Sequence, residues 1–541
     1  MPATHKPLID VRPDHWAIVR DILQKHVPQF EVWAFGSRAK WSAKEYSDLD
    51  LAVITDRPLS ISTSAALADD LAESDLPWKV DVVDWATTAE SFRKIIARDK
   101  VVVQRGAGMS EWRQFEIGRA FDVNPSRAIQ RGKVTPFIPM DALPEHARSA
   151  ARIDEREFTG SGTKFQNGDT LVARITPCLE NGKTAFISGL PDGVVAHGST
   201  EYIVLAGKPN QSDNLFAYYL ARSPDFRQYA IGHMEGTSGR QRVPSIAVEK
   251  YLVSLPSLQK QRAIAHILGT FDDKIELNRR MNETLEAIAR AKFKSWFVDF
   301  DPVRAKMSGE PSESICQRLG LTPDLLALFP DRLVDSELGE IPEGWDVKPL
   351  DVVADYLNGL ALQKFPPESE TEWLPVIKIS QLKKGDTSGA DRASCNLKPE
   401  YIVNDGDVIF SWSGSLEVDI WCGGRGALNQ HLFKVTSANY PKWFYYQWTK
   451  HHLASFQAIA SGKAVTMGHI QRKHLTQALC AVPQKPLMGK LDDIMATLLE
   501  KQIENRKASR TLAMVRDELL PKLLSGRLRV SEADSSVEVY A

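Results

Sequence analysis

Three short segments of the chain carry residues that could do chemistry together: Gly36-Ser37, the Asp-x-Asp of Ser47-Asp48-Leu49-Asp50-Leu51, and the later acid of Val80-Asp81-Val82-Val83. Side chains on a strand repeat every two residues, so Asp48 and Asp50 share a face. Asp81 on a nearby strand can complete a cluster of carboxylates. Oxygens of that kind suit Mg²⁺, and two such ions can activate an attacking hydroxyl while neutralising a leaving pyrophosphate. Gly36-Ser37, at the end of a strand and the start of a helix, lets backbone N–H groups approach a triphosphate. Asp84 is a second candidate for the third acid, although its register puts it on the opposite face from Asp81.

The elements that must position these groups are short β-rich runs, Glu31-Val32-Trp33-Ala34-Phe35, Leu49 to Ile54 and Val80 to Val83, separated by helical stretches such as Trp16 to His26. They form a compact α/β unit over residues 1–106, and Gly106-Ala107-Gly108 reads as a linker. Gly-Ser, then Asp-x-Asp, then a later Asp resembles the minimal nucleotidyltransferase family over these residues. The resemblance implies that Asp48 and Asp50 are metal ligands and that Asp81 is the third acid, which also helps deprotonate the acceptor. Gly36 and Ser37 would be the nucleotide-binding phosphate loop, Mg²⁺ the cofactor and a nucleoside triphosphate the substrate. Trp41 stands where the family often carries Gly, a departure in the same loop. With all three acids present, an active site is favoured over an inactive fold kept for docking.

From about Glu111 to Val530 the chain reads as one unit written twice. Each copy opens on a Trp (Trp112, Trp345) and passes a Gly-Asp turn into an apolar strand (Gly168 to Val172; Gly406 to Phe410). A second strand follows (Glu201 to Leu205; His431 to Val435), then an aromatic helix (Phe216 to Leu220; Phe444 to Trp448) and a small-residue basic loop (Gly236 to Arg240; Ala460 to Lys463). At helical spacing Tyr218-Tyr219 and Phe444-Tyr445-Tyr446 are expected in the core rather than stacked on bases. Each copy closes on a long helix with 3-4 spacing: Ile264, Leu268, Phe271, Ile275, Met281, Leu285 and Ile288, then Leu491, Ile494, Leu498, Leu512, Val515, Leu519 and Leu523. The first would run to Phe297, a rod of roughly 60 Å at 1.5 Å per residue. Two such rods can pair antiparallel. Tandem modules held on helices suit the reading of two related objects at a fixed distance.

This order of parts, with Pro256 to Ile264, Trp296 to Pro302, Ser336 to Trp345 and Leu523-Leu524-Ser525-Gly526-Arg527-Leu528, closely resembles the specificity subunit of type I restriction-modification enzymes. The second copy departs at Pro483-Gln484-Lys485-Pro486-Leu487, where the family usually starts its helix with Gln-rich sequence. The expected fold class is a multidomain α/β protein. A nucleotidyltransferase domain (1–106) precedes target recognition domain 1 (111–257), spacer helix 1 (258–300), a connector (301–344), target recognition domain 2 (345–486) and spacer helix 2 (487–526), the two helices forming an antiparallel coiled coil. The resemblance implies that each module reads one half of a split site in double-stranded DNA. The helix pair sets the unread spacer and docks the methyltransferase (modification) subunits, in company with a restriction subunit. This region is expected to need no cofactor. Base reading needs donors delivered to groove edges and phosphate clamps need cations, so the candidate DNA-binding residues are Arg174, Arg240 and Arg242 in the first copy and Lys463, Arg472 and Lys473 in the second. A competing reading is a stand-alone defence nucleotidyltransferase that uses the duplicated reader to locate or sense DNA.

Composition narrows the classes. Five scattered cysteines without a C-x-x-C pair argue against structural zinc or disulfides and for a reducing cytoplasm. No stretch reaches the apolar length of a membrane span. The net charge of −2 neither supports nor excludes a nucleic-acid partner, since a binder needs a basic face and not a basic total. Neither a methylase Asn/Asp-Pro-Pro-Tyr/Phe motif nor a true P-loop is present, because Gly182-Lys183-Thr184 has Pro177 where the first Gly belongs. His431 and the pair His451-His452 have no acid or cysteine at ligand spacing and read as structural or exposed.

Overall fold

The β-branched runs near the N-terminus form one mixed sheet in the order Val80–Asp84, Leu49–Ile54, Glu31–Phe35, Val101–Gln104. In this computed structural model residues 9–55, 58–104, 106, 112–237, 239–462 and 468–533 are described. The strand pair Leu49–Ile54 and Val80–Asp84 is parallel, so it needs a crossover, and the helix Ile61–Ala72 supplies it. Ser60 caps that helix, its hydroxyl accepting from the Thr63 amide at 3.1 Å. Val32, Ala34, Leu49, Leu51 and Val53 alternate inward against Val19 and Leu23 of the helix Pro13–His26 and against Leu67 and Leu71.

The chain divides into two units, Met1–Asp272 with Arg516–Ala541, and Asp273–Val515. Each contains one copy of the repeat, and the two copies have the same internal topology. In the first, one sheet runs Thr184–Phe186, Thr170–Ala173, Tyr202–Gly207, Phe121–Val123, and a second runs Asp154–Glu157, Val134–Ile138, Ala196–Gly198, Thr163–Phe165. In the second the corresponding sheets are Val418–Ile420, Val408–Ser411, Leu432–Thr436, Asp355–Asn358, and Arg392–Ala393, Leu374–Ile377, Gly426–Leu428, Ile402–Val403. The Gly-Asp turns are built alike. Gly168 and Gly406 take positive φ (+89° and +92°), a conformation that suits glycine. The Asp169 carboxylate accepts from the Gln166 amide at 2.7 Å and Asp407 from the Asn404 amide at 2.8 Å. The aromatic runs are core: Tyr218, Tyr219, Phe444, Tyr445 and Tyr446 are all buried.

The two long helices, Leu258–Phe293 and Lys485–Leu524, pack antiparallel. Asp272 meets Arg516, Asn278 meets Ser509 at 3.2 Å and Asn282 meets Asn505 at 2.9 Å. The seam differs from the apolar one expected. A strict 4-3 alternation from Ile264 passes through Leu268, Phe271, Ile275, Asn278, Asn282, Leu285 and Ala289, and it leaves Met281 and Ile288 at 38% and 40% exposure. On the partner helix the same phase carries Gln502, Asn505 and Arg516 inward, each buried, while Val515 is only half-buried. Periodicity outranks hydrophobicity here, because a straight helix cannot turn Met281 and Asn282 to the same side.

The first helix ends in a π turn, Lys294–Val298, and the second starts at Lys485 with Pro486 in its first turn, where a missing amide N–H costs nothing. The segment after the first helix is itself folded, into the short helices Asp301–Met307, Ser312–Leu319 and Pro323–Ala327 and a hairpin, Leu333–Ser336 with Gly339–Pro342. Trp296, Phe297, Phe300, Phe329 and Trp345 form its core.

Candidate functional site

Strand pairing brings the N-terminal acids together. Asp50 lies opposite Asp81 in the parallel register and opposite Phe35, the residue before Gly36, in the antiparallel one. Asp48 sits one residue before the strand that carries Asp50, not on it, so its side chain is placed by the preceding loop rather than by the pleat. Gly36 adopts φ +74°, and a Cβ there would stand 2.2 Å from Asp50 Oδ2. Only glycine lets this carboxylate lie against the turn. The helix that follows is a single turn, Gly36–Ala39, so the site offers turn amides and not a macrodipole.

The electrostatics are those of crowded acids. Burial, then Asp81, then Asp48 push the Asp50 carboxyl above its ordinary range. Asp81 is ion-paired with Lys79 at 2.5 Å, and that contact, with Asp48 behind it, raises the Lys79 ammonium. Among the described residues no three His, Cys, Asp or Glu side chains converge into a ready cation site. The donor set nevertheless fits a hard divalent cation: carboxylates across paired strands destabilise one another until a cation arrives, and Asp81 would leave Lys79 to join them. Asp81 also lines a cleft of about 680 Å³ between the helix Ile61–Ala72 and its own strand. Asp84 is otherwise employed. Its carboxylate accepts from the Thr55 hydroxyl, the Leu59 amide at 2.6 Å and the Ala86 amide at 3.0 Å, a structural cap at the strand end.

Arg38 is a positioning residue that sequence reasoning missed. It is buried under Trp78, its guanidinium carbon 4.3 Å from the ring, and donates to the carbonyls of Asp10 and Ser47 at 2.8 Å each. It thereby fixes the loop that delivers Asp48. Its partners are all backbone oxygens, so no pattern of residue types announces them. Trp41, half-exposed in the same loop, takes φ +55°, which glycine would adopt without strain.

In the first repeat copy the structure brings Arg174 and Arg242 to one corner and carries Arg240 in the adjoining loop. Arg242 makes a bidentate pair with Glu201 at 2.7 and 2.9 Å, and Arg240 is exposed two residues before it. Val243 N donates to Arg174 O at 2.9 Å, and Arg174 Nε is buried without an acceptor among the described residues. In the second copy Lys463 lies outside the described residues. Arg472 turns onto its own module, donating to Tyr356 O at 3.1 Å with its guanidinium over Phe433, while Lys473 is exposed.

Comparisons with known proteins follow the same division. Residues 19–106 match the family described as Polymerase beta, Nucleotidyltransferase, and residues 110–287 match the Type I restriction modification DNA specificity domain. The chain is 53% identical over 96 residues to a probable protein adenylyltransferase MntA of Haemophilus influenzae, covering 18% of this chain and 84% of that protein. It is 25% identical over 472 residues to the type I restriction enzyme HindI specificity subunit of the same organism, covering 78% of this chain and all of that protein. The MjaIX specificity subunit of Methanocaldococcus jannaschii is 26% identical over 326 residues, 59% of this chain and 69% of that one. Among the described residues no helix is long and apolar enough to cross a membrane. The N-terminal part of the chain thus belongs to the polymerase-beta-type nucleotidyltransferase family, and the remainder is similar to type I restriction-modification DNA specificity subunits.

Proposed function

We propose that the chain selects a bipartite site in double-stranded DNA for methyltransferase and restriction partners, and that its N-terminal domain transfers a nucleotide from a nucleoside triphosphate to a protein hydroxyl. The observation that supports the transfer is the parallel register of Asp50 with Asp81 over a glycine that only the Asp50 carboxylate can crowd. Mg²⁺, when bound by Asp48, Asp50 and Asp81, supplies charge neutralisation for the triphosphate and for the departing pyrophosphate. The turn amides of Gly36 and Ser37 face the phosphates. The acceptor enters along the cleft beside Asp81, and its hydroxyl oxygen attacks the α-phosphorus. The bond to pyrophosphate breaks, and the hydroxyl proton passes to the Asp81 carboxylate. Arg38 holds the Asp48 loop and touches no reacting atom. Identity with a protein adenylyltransferase favours ATP as donor and a polypeptide as acceptor.

The test combines labelled ATP, GTP, CTP or UTP with Mg²⁺, comparing wild type with Asp48→Ala/Asp50→Ala, each with and without co-expressed methyltransferase subunits. We expect label from ATP on protein, lost in the double variant, and stable co-purification of the subunits with both. Transfer by a chain that never retains a methyltransferase would replace the specificity reading with that of a nucleotidyltransferase guided by its DNA reader. Assembly without transfer would reduce the N-terminal domain to a docking piece.

A further inference from the structure

The two repeat copies can be superposed bond by bond at the end of the strand after the Gly-Asp turn. Ala173 pairs with Tyr202 in the first copy as Ser411 pairs with Leu432 in the second. One residue on, Arg174 N donates to Glu201 O at 3.0 Å, and Trp412 N to His431 O at 3.4 Å. The returning loop closes both corners identically: Val243 N to Arg174 O at 2.9 Å, and Ile470 N to Trp412 O at 3.0 Å. The isolated bridges agree, Ile175 with Arg242 and Ser413 with His469. Arg174, Glu201 and Arg242 therefore correspond to Trp412, His431 and His469.

The backbone frame is the same while the side chains share no chemistry. The first corner holds two guanidiniums and a carboxylate. The second holds an indole with two imidazoles near it, ring centroids 6.1 and 6.3 Å away. The indole is fixed in place, its Nε1 donating to Asn358 Oδ1 at 2.9 Å, and His431 Nδ1 is 2.9 Å from Ser413 Oγ, with Gln430 alongside. All three residues are half-buried rather than core. A shared frame carrying divergent tips is what a reader of two different sequences requires.

We infer that Trp412, His431 and His469 are the base-reading residues of the second module, and that the two half-sites are read by different chemistry. This rests on the DNA-reading proposal above and deepens it. The first module engages DNA with cations and so releases counterions. The second uses the hydrogen-bonding edges of two imidazoles and an indole ring, suited to base edges and a thymine methyl, and with no guanidinium at this corner contributes little to salt dependence. Arg472 and Lys473 are then not its sequence readers.

The full-length chain is used to select from a library of random DNA duplexes, and affinity for the selected duplex is measured across salt concentrations. Trp412→Ala/His469→Ala is expected to erase preference in one half-site, by about 10-fold or more per base pair read, with the salt slope unchanged. Arg174→Ala/Arg242→Ala is expected to flatten the other half-site and to reduce the slope by about one to two. If the alanine pair unfolds, Trp412→Phe/His469→Asn keeps ring and polarity and must still alter the preferred base pairs of that half alone. Unchanged preference, an effect on the same half as the arginine pair, or an equal loss of slope overturns the inference while leaving bipartite DNA reading intact. A wild-type chain without any bipartite preference overturns both.

Discussion

The two aromatic helices are anchored by the same three residue types in opposite settings. In the first unit the Tyr219 hydroxyl donates to Asp272 at 2.6 Å and Asp272 pairs with Arg516, with the charged side chains only 3% and 4% exposed. In the second, Tyr446 approaches Asp419 at 3.4 Å and Asp419 pairs with Arg506 at 2.9 Å, with side chains 33% and 28% exposed. The first acid belongs to a long helix and binds the helix pair together; the second belongs to a strand of its own module, Val418–Ile420, and binds that module to a helix. Similar residues therefore do unequal work, because a pair cut off from water must be kept whole, whereas a wet one can be broken cheaply.

The sharpest way to break this comparison is Asp272→Ala, which removes the buried partner of Arg516 and leaves it only the exposed Asp517 beside it. We expect a loss of about 3–5 kcal/mol in urea unfolding, with hydrogen exchange faster in residues 216–222 than in 444–448. Asp272→Leu/Arg516→Met should recover most of it. Next in size is an acid effect from His452 in the second unit. Burial and the neighbouring His451 depress His452 to about 4 from an ordinary 6.5, although its ring bonds Leu479 O at 3.0 Å. The folded state thus takes up a proton less readily than the unfolded one. The stability tied to neutral His452 is complete above pH 6.5 and is lost as pH falls towards 4, about 3 kcal/mol in all. Unfolding followed at pH 7, 5.5 and 4.5 should show this, and His452→Gln should flatten it. Arg506→Ala is expected to cost about 1 kcal/mol by the same urea assay; a loss equal to that of Asp272→Ala would erase the distinction. Smallest is Asn282→Leu/Asn505→Leu in the seam, expected to change stability by less than about 1 kcal/mol while broadening the helix register seen by cross-linking.

Features set by local rules were legible in the sequence. Asp50, Asp81 and Gly36 stood out because turn chemistry and strand alternation operate over a few residues, while Asp48, expected on the strand beside Asp50, lies in the loop before it; the repeat showed in its Gly-Asp turns and aromatic helices. What was hidden depended on distant partners. Arg38 serves backbone oxygens, Arg516 meets an acid on the other long helix, and Asn278 and Asn282 occupy a seam that a search for apolar residues steps past. The cations Arg174, Arg242 and Arg472 are legible in the sequence as candidate DNA contacts, whereas the correspondence of Trp412, His431 and His469 with the first copy's corner rests on hydrogen-bond register between distant strands, which the sequence does not show.

Gly526 closes the account at a different scale. It takes φ +72°, and a Cβ on it would press into the Trp112 indole at 2.7–3.2 Å. The two ends of the repeated region therefore touch within the first unit, so the polypeptide path between them closes on itself. A closed path can be opened elsewhere. A circular permutant that joins residue 526 to residue 112 through a short linker and begins in the connector should retain the fold. The N-terminal domain is attached where these ends meet, a place at which a guest domain can be added without stretching any internal span.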